Sequence, residues 1–579
     1  MLRLLRLSFR QPGICSPLII TERRWTALST DTIAINNPIL PGFNPDPSII
    51  RVGEDYYIAT STFQWFPGVQ IHHSRDLVHW QVIAHPLNRQ SQLNMIGNPD
   101  SGGIWAPCLS YNEGAYYLVY TDVKSHAGAY KDTHNYVVTA QHIRGPWSEP
   151  VYLNSSGFDP SLFHEEDGTK WIVNMQWDFR KDRDPFNGIY IREYSETEQR
   201  LVGPSYRIYS GSPLGLTEGP HIYKKDGYYY LMTAEGGTSY EHAVTLARSR
   251  TLTGSYETDP LAPMLTASGK PELRLQKAGH ASLVETQSGE WYIAHLCGRP
   301  LGKGDNRCIL GRETALQRCV WTEDGWLRLA HVGNSPQDQV QRPDLPLYPL
   351  PQRAERDDFD AERLGLHWQT LRQPVAEDWL SLAERPGYLR LKGMESPNSK
   401  FRHSLIGTRQ QAFRCEAETA VEFEPESYQQ MAGLIYYYNS QNYYYLRISR
   451  DEAMGVNIGI LANDHGVYYE HTTPFIQLEA GASCRLKLTL NYGELQFYYA
   501  PAGGPWQAIG SRLDAGKISD EYATHMVDGY FTDWGFTGAF IGLCAHDLSG
   551  ARKSADFDYF TYREPQAYSQ DMEEKEEGR

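Results

Sequence analysis

One segment, a short aromatic and β-branched run, recurs five times in the first three hundred residues. The copies read Asp55-Tyr56-Tyr57-Ile58-Ala59, Ala115-Tyr116-Tyr117-Leu118-Val119, Lys170-Trp171-Ile172-Val173, Tyr229-Tyr230-Leu231-Met232 and Trp291-Tyr292-Ile293-Ala294. Four have a Gly just upstream (Gly114, Gly168, Gly227 and Gly289), the signature of a hairpin turn feeding a strand. Aligned on Tyr57, Tyr117, Trp171, Tyr230 and Tyr292, the copies lie 60, 54, 59 and 62 residues apart. That period suits one four-stranded propeller blade with generous loops. The expected fold is therefore all-β, with a five-bladed propeller over residues 34–334.

Eleven or twelve residues before each aromatic lies a second recurring string. These are Asn44-Pro45-Asp46-Pro47-Ser48-Ile49, Trp105-Ala106-Pro107-Cys108-Leu109, Phe158-Asp159-Pro160-Ser161-Leu162, Thr217-Glu218-Gly219-Pro220-His221-Ile222 and Gly279-His280-Ala281-Ser282-Leu283. The first strand of each blade lines the propeller axis, so equivalent positions converge there. Those positions hold Asp46, Ala106, Asp159, Gly219 beside Glu218, and His280. Three carboxylates and an imidazole at one axis carry a desolvation penalty of several kcal/mol per unpaired charge, which argues for a shared task. The alternative, that each Asp-Pro is only a turn or strand-start signal, explains single copies but not three acids in phase.

At 579 residues the chain exceeds a single core. A Pro-rich stretch over 335–353, with Pro343, Pro346, Pro349 and Pro351, favours extended backbone and reads as a linker. Residues 354–563 then alternate with period two, as in the run from Ala555 to Phe560, and are expected to form a β-sandwich. Residues 564–579 are a charged tail expected to be disordered. Residues 1–33 place Arg3, Arg6 and Arg10 among leucines, with no acid before Glu22. They read either as an amphipathic targeting segment or as an unordered leader.

A net charge of -16 argues against nucleic acid, and no stretch reaches the roughly twenty apolar residues of a membrane span. The 12% aromatic share, with 39 Tyr and 14 Trp, suits all-β cores and stacking surfaces for sugar rings. Eight scattered Cys without a CxxC pair fit a reducing compartment, so a cytoplasmic location is expected, with organelle targeting or secretion left open by the leader. A homo-oligomer is expected.

The strings Gly42-Phe-Asn-Pro-Asp-Pro-Ser48, Ser61-Thr-Phe-Gln-Trp-Phe-Pro-Gly-Val-Gln-Ile-His-His73, Asn98-Pro-Asp-Ser-Gly-Gly-Ile-Trp-Ala-Pro107, Thr217-Glu-Gly-Pro-His221, Leu231-Met-Thr-Ala-Glu-Gly-Gly237, Gly279-His-Ala-Ser-Leu-Val-Glu285 and Leu310-Gly-Arg-Glu-Thr314 occur in order. In them the sequence resembles glycoside hydrolase family 43, specifically its two-domain β-xylosidases. The resemblance implies a five-bladed propeller, a C-terminal β-sandwich, and hydrolysis of β-1,4-linked xylose with inversion; no cofactor is expected to be required, and a sandwich held close by the short linker, with Phe536 capping the pocket, leads to an expectation of exo-action on xylo-oligosaccharides. It further implies Asp46 as general base, Glu218 as general acid and Asp159 as the carboxylate that tunes and orients the acid. Under it, His280 sits beneath the site and Arg312 reaches a sugar hydroxyl or Asp159. Two departures from the family pattern are Cys108, where close relatives carry Asp, and a shorter segment from Cys297 to Leu310.

On the residues themselves, His280 reads either as a hydrogen-bonded core residue or as a ligand for water or a divalent cation such as Ca2+ on the axis. Trp105, Phe63 and Phe66 read as sugar-facing walls or as core. Phe536, in Asp533-Trp-Gly-Phe-Thr-Gly538, is a candidate loop tip closing the pocket. An α-L-arabinofuranosidase or a dual enzyme is the nearest rival, and a non-catalytic sugar-binding propeller a more distant one.

Overall fold

The computed structural model describes residues 34–565 except 303, 352, 473, 528 and 529. The leader over 1–33 and all of the tail beyond 565 lie outside the described residues. Five four-stranded antiparallel meanders follow one another, each with its strands in sequence order from first to last. Their first strands are Ser48–Val52, Gly103–Asn112, Ser161–His164, Glu218–Lys225 and Gln276–Glu285. The expected five-bladed propeller is the fold observed. The fourth blade carries an extra short strand, Leu265–Thr266, on Ala243–Ser249.

The repeated aromatic segments form the second strand of each blade. In Asp55–Thr60 every residue after the first is buried on both faces, because blades stack on each other. This explains the near-continuous apolar runs, where a sheet with one wet face would alternate. The serines of the inner strings join neighbouring blades. The Ser282 hydroxyl donates to Pro47 O (2.8 Å) and accepts from Ile49 N (2.9 Å), and Ser48 Oγ accepts from Leu109 N (3.0 Å). The ring is closed by Ala34–Asn36, which pairs antiparallel with Gln339–Gln341, inside the Pro-rich stretch.

The second half folds into two large sheets facing each other across a core that includes Trp368, Trp379, Leu446, Leu488 and Phe557. The expected sandwich is present, with one eight-stranded and one nine-stranded sheet, yet the nine-stranded sheet ends in a strand from the propeller. Trp65–Phe66 pairs with Gln369–Leu371, and the Trp65 indole stacks on Phe540 with ring centroids 3.7 Å apart. Phe66 therefore lies in the sandwich sheet, where its backbone partner is Thr370, and does not form a wall of the pocket.

A buried ion pair reinforces this joint. Arg372, fully buried, directs Nη2 to Asp100 Oδ1 (2.6 Å) and Nε to Asn98 O (2.8 Å). Burial pushes the Asp100 pKa up, but Arg372, with Lys400 and the Ser440 hydroxyl, outweighs it and holds the carboxyl below its ordinary value. Removing one partner of such a pair strands the other charge in the interior. Asp100→Ala is expected to cost about 3–5 kcal/mol, read as a lower urea midpoint, and the Asp100→Leu/Arg372→Met double variant should recover most of that loss.

Candidate active site

All five aligned inner positions share a left-handed backbone: φ is 56° at Asp46, 34° at Ala106, 53° at Asp159, 57° at Gly219 and 45° at His280. Such a conformation costs a non-glycine residue roughly 1–2 kcal/mol, so four strained residues at equivalent points mark a constraint repeated by the fold. In the second, fourth and fifth blades it appears as a register shift, between Trp105 and Cys108, Glu218 and His221, and Gly279 and Ala281. At the four positions that precede a proline, Asp46, Ala106, Asp159 and Gly219, the pre-proline rule alone predicts extended backbone. At Gly219 a Cβ would meet His280 Cε1 at 2.9 Å, so the fourth blade places glycine where the imidazole packs and presents its carboxyl one residue earlier, at Glu218.

The result is a pocket of about 720 Å³ at the end of the axis, with Asp46, Asp159, Glu218, His280 and Arg312 on its walls. Asp46 accepts a hydrogen bond from the Ser61 hydroxyl (2.6 Å), which in turn accepts from Ala106 N (2.8 Å). Arg312 Nη1 lies 3.6 Å and His280 Nδ1 4.0 Å from Asp46 Oδ1. Asp159 Oδ2 accepts from Gly219 N (3.0 Å), which ties it to the backbone beside Glu218. Arg312, buried, donates to Thr238 Oγ1 (2.7 Å) and to Phe536 O (3.0 Å). Its ion-pair partner is thus Asp46 rather than Asp159.

Trp105 meets Phe158 edge-on at 5.5 Å, and Phe63 and Phe536 at 6.1 and 6.2 Å, forming an aromatic wall. The Trp105 indole is oriented by its N–H bond to Ser101 O (2.8 Å). Phe536 comes from the sandwich. Its loop is tied down by Ser101 Oγ to Trp534 O (2.6 Å), by Thr537 N to Tyr438 Oη (3.2 Å), and by the close approach of Gly311, where a Cβ would fall 1.8 Å from Thr537 O. Beside it, Lys277 of the fifth blade's inner strand pairs with Glu521 and lies 3.6 Å from Asp520, both from the sandwich.

Among the described residues no group of three or more His, Cys, Asp or Glu side chains is placed to hold a metal ion. At His280 the donor set is one imidazole and one carboxylate, with the Arg312 guanidinium 3.6 Å from the same carboxylate oxygen. That positive charge opposes a divalent cation, so these residues do not fit the axial Ca2+ considered from sequence.

The family model for Glycosyl hydrolases family 43 matches residues 35–327, and that for the Beta xylosidase C-terminal Concanavalin A-like domain matches residues 356–563. The chain belongs to glycoside hydrolase family 43. Among its curated relatives, a Xylosidase/arabinosidase 43B of Humicola insolens is 49% identical over 91% of this chain and 97% of its own length. A Beta-xylosidase of Bacillus subtilis (strain 168) is 47% identical over 92% and 99%. The crystal structure of a xylan beta-1,4-xylosidase from Bacillus Halodurans C-125 superposes with a TM-score of 0.89 at 57% identity, covering 92% of this chain and all of that one.

In this family-43 hydrolase the carboxyls differ in environment. Burial, and then the charge of Asp46, push the Glu218 pKa up to about 8, with Arg312 opposing. Glu218 keeps part of its surface open to the pocket although protein surrounds it, and among the described residues its carboxyl makes no hydrogen bond. Burial, then Glu218, then Asp46 push Asp159 well above the ordinary range. Glu218 and Asp159 repel each other, and Asp46 adds its charge against both. His280 is pushed down by burial first, against the pull of Asp46, which favours a neutral imidazole. Ser61, Thr238 and Trp534 were not singled out from sequence. Ser61 stands two residues after the first aromatic strand's Ala59 within a quoted string, and Trp534 two before Phe536, but nothing local tells that they face the acids.

The raised Glu218 pKa has a consequence for stability. Its folded value, about 8, exceeds the unfolded carboxyl value, so the folded state holds the extra proton and stability falls as pH rises between the two. Glu218→Gln is expected to raise Tm, with a gain that grows from about pH 4.5 and levels off above about pH 8. Thermal melts of both proteins from pH 4 to 9 check this, and a pH-independent difference would count against the electrostatic cause.

Proposed function

We propose that this chain is an inverting, exo-acting β-xylosidase that releases single xylose units from the non-reducing ends of β-1,4-xylo-oligosaccharides. The observation that carries the reading is the contrast between two carboxyls in one pocket: Glu218 poised with a pKa of about 8, and Asp46 surrounded by a hydroxyl donor and a guanidinium that suit its anion. Glu218 donates its proton to the glycosidic oxygen as that bond breaks. Asp46 takes a proton from the water that attacks the anomeric carbon from the opposite face. Asp159, fixed on the Gly219 amide, orients the strand end that bears Glu218. Arg312 and the neutral His280 position Asp46, and Trp105, Phe63 and Phe536 pack on the sugar.

Exo-action is supported by the cap. Phe536 arrives from the second domain and is bonded through its carbonyl to Arg312, so the pocket has a roof as well as a floor. The Humicola relative's description as a xylosidase/arabinosidase supports a second, arabinosidase activity, which we take to be on α-L-arabinofuranosides because that ring presents similar hydroxyls. The reading also includes a homo-oligomer, for which the exposed edge strand Val467–Glu470 offers a surface, and a reducing, cytoplasmic compartment, in keeping with seven buried, unpaired cysteines among the described residues. No helix among the described residues is long and apolar enough to cross a membrane.

Asp46→Ala and Glu218→Ala are each expected to lower xylobiose turnover about 10²–10⁴-fold with the fold retained. In the wild type, kcat/KM should decline as pH rises through about 8, because the acid must be protonated to act. NMR of early turnover should show α-xylose as the first anomer from a β-xyloside; β-xylose would assign Asp46 a nucleophilic role instead. Xylohexaose should yield xylose and xylopentaose first, and early mid-length fragments would contradict the capped pocket.

A further inference from the structure

One side of the pocket's mouth differs in charge from the rest of a chain whose net charge is -16, although the exposed Glu241 lines the pocket too. A loop between Lys170–Trp177 and Phe186–Ser195 of the third blade forms one side of it. Arg180, Lys181 and Arg183 line the mouth, whereas Asp182 and Asp184 do not. Two of the loop's three acids are engaged elsewhere: Asp178 receives Arg180 through both oxygens (2.5 and 2.8 Å), and Asp184 accepts the Phe186 N–H (3.0 Å). The loop is held by Asp178 N to Pro185 O (2.9 Å) and Arg183 N to Arg180 O (3.0 Å), so the cations are presented on an ordered frame.

Two further features line the same mouth. Lys131 lies deeper on the same side, its ammonium 4.4 Å from the Trp177 ring centroid and 4.8 Å from that of Trp534, and it donates to His126 O (2.9 Å). Among the described residues neither Lys131, Lys181 nor Arg183 has a carboxylate within ion-pair distance, and burial alone brings the Lys131 pKa down to about 8. At the outer lip Phe179 and Tyr130, 53% and 68% exposed, pack together at 4.8 Å and offer a sugar-stacking face.

We propose that this mouth recognises a carboxylate carried by the leaving group, so that the substrate class includes xylo-oligosaccharides bearing a uronic acid next to the scissile bond. The inference rests on the xylosidase reading, under which the terminal sugar fills the pocket and the leaving saccharide crosses the mouth. The Arg183 guanidinium can match a carboxylate's paired oxygens, and the Lys181 ammonium adds a point charge beside it. Their exposure keeps each contact modest and salt-sensitive.

The test uses the full chain and three substrates: xylobiose, xylobiose with glucuronic acid on O2 of its reducing-end xylose, and the methyl ester of that acid, which keeps size and removes charge. In low salt the acid should be cleaved with a kcat/KM roughly two- to fivefold above the ester. That ratio should fall toward one on adding salt, and in the Lys181→Gln/Arg183→Gln variant, while xylobiose cleavage stays unchanged. Equal rates for acid and ester, or a ratio unaltered in the variant, would overturn the inference while leaving the xylosidase reading standing. Absence of xylobiose cleavage by the wild type would overturn that reading and this inference with it.

Discussion

Like charge removed from water around one axis is the constraint on which the rest of this structure depends. Asp46, Asp159 and Glu218 converge in a pocket where burial and mutual repulsion resist ionisation of at least two of them. The propeller sustains this because five blades, each buried on both faces, fix the inner strands from every side. The strained positions are held by stapling: serines bridge adjacent inner strands, Thr314 Oγ1 donates to Asn44 O (2.6 Å), and Asn44 N donates to Arg312 O (2.9 Å). Strain persists where the surroundings over-determine it, and here the surroundings are whole blades.

The sandwich is a structural part of the same site. Its sheet takes up Trp65–Phe66 from the propeller, its Arg372 neutralises Asp100, and its Asp520 and Glu521 face the buried Lys277. The cap residue Phe536 rests on Arg312, the residue whose other guanidinium nitrogen faces Asp46. Packing between the domains and charge placement at the base therefore share one side chain. Displacing the cap would remove a carbonyl from a buried guanidinium, which gives closure an electrostatic component beyond its apolar contact.

Much of this was legible because the deciding pattern is local. An aromatic strand and its upstream string fall within about a dozen residues, so fivefold phase could be aligned by eye, and it brought Asp46, Asp159, Glu218 and His280 together without any tertiary knowledge. What was not legible depends on contacts across long sequence separations. Phe66 sits in a string that looks like its pocket-lining neighbour Phe63, and only the partner strand at Gln369–Leu371 decides that it turns to the other domain. Arg312 could be placed near the acids, but which acid it meets depends on how Thr238 and Phe536 hold its guanidinium. The left-handed backbone was hidden by the prolines, whose local preference points the other way.

The source of the repulsion on Glu218 bears on how the chemistry runs. In the proposed roles, with Asp46 as the base and Glu218 as the acid, the group that raises the acid's pKa is the same group that takes a proton from water. As Asp46 becomes protonated its charge fades, and the push that held the proton on Glu218 fades with it, just as Glu218 must release that proton to the leaving oxygen. The pair begins with one negative charge on Asp46 and ends with one on Glu218, so the total charge inside the pocket is constant through the step. Arg312, held between the cap and the base, then faces a charge that moves across the pocket without growing, and its dipolar surroundings need little rearrangement. Burial, then Glu218 and Asp46, push Asp159 toward its neutral form beside the Gly219 amide, and a neutral Asp159 does not oppose the new anion on Glu218.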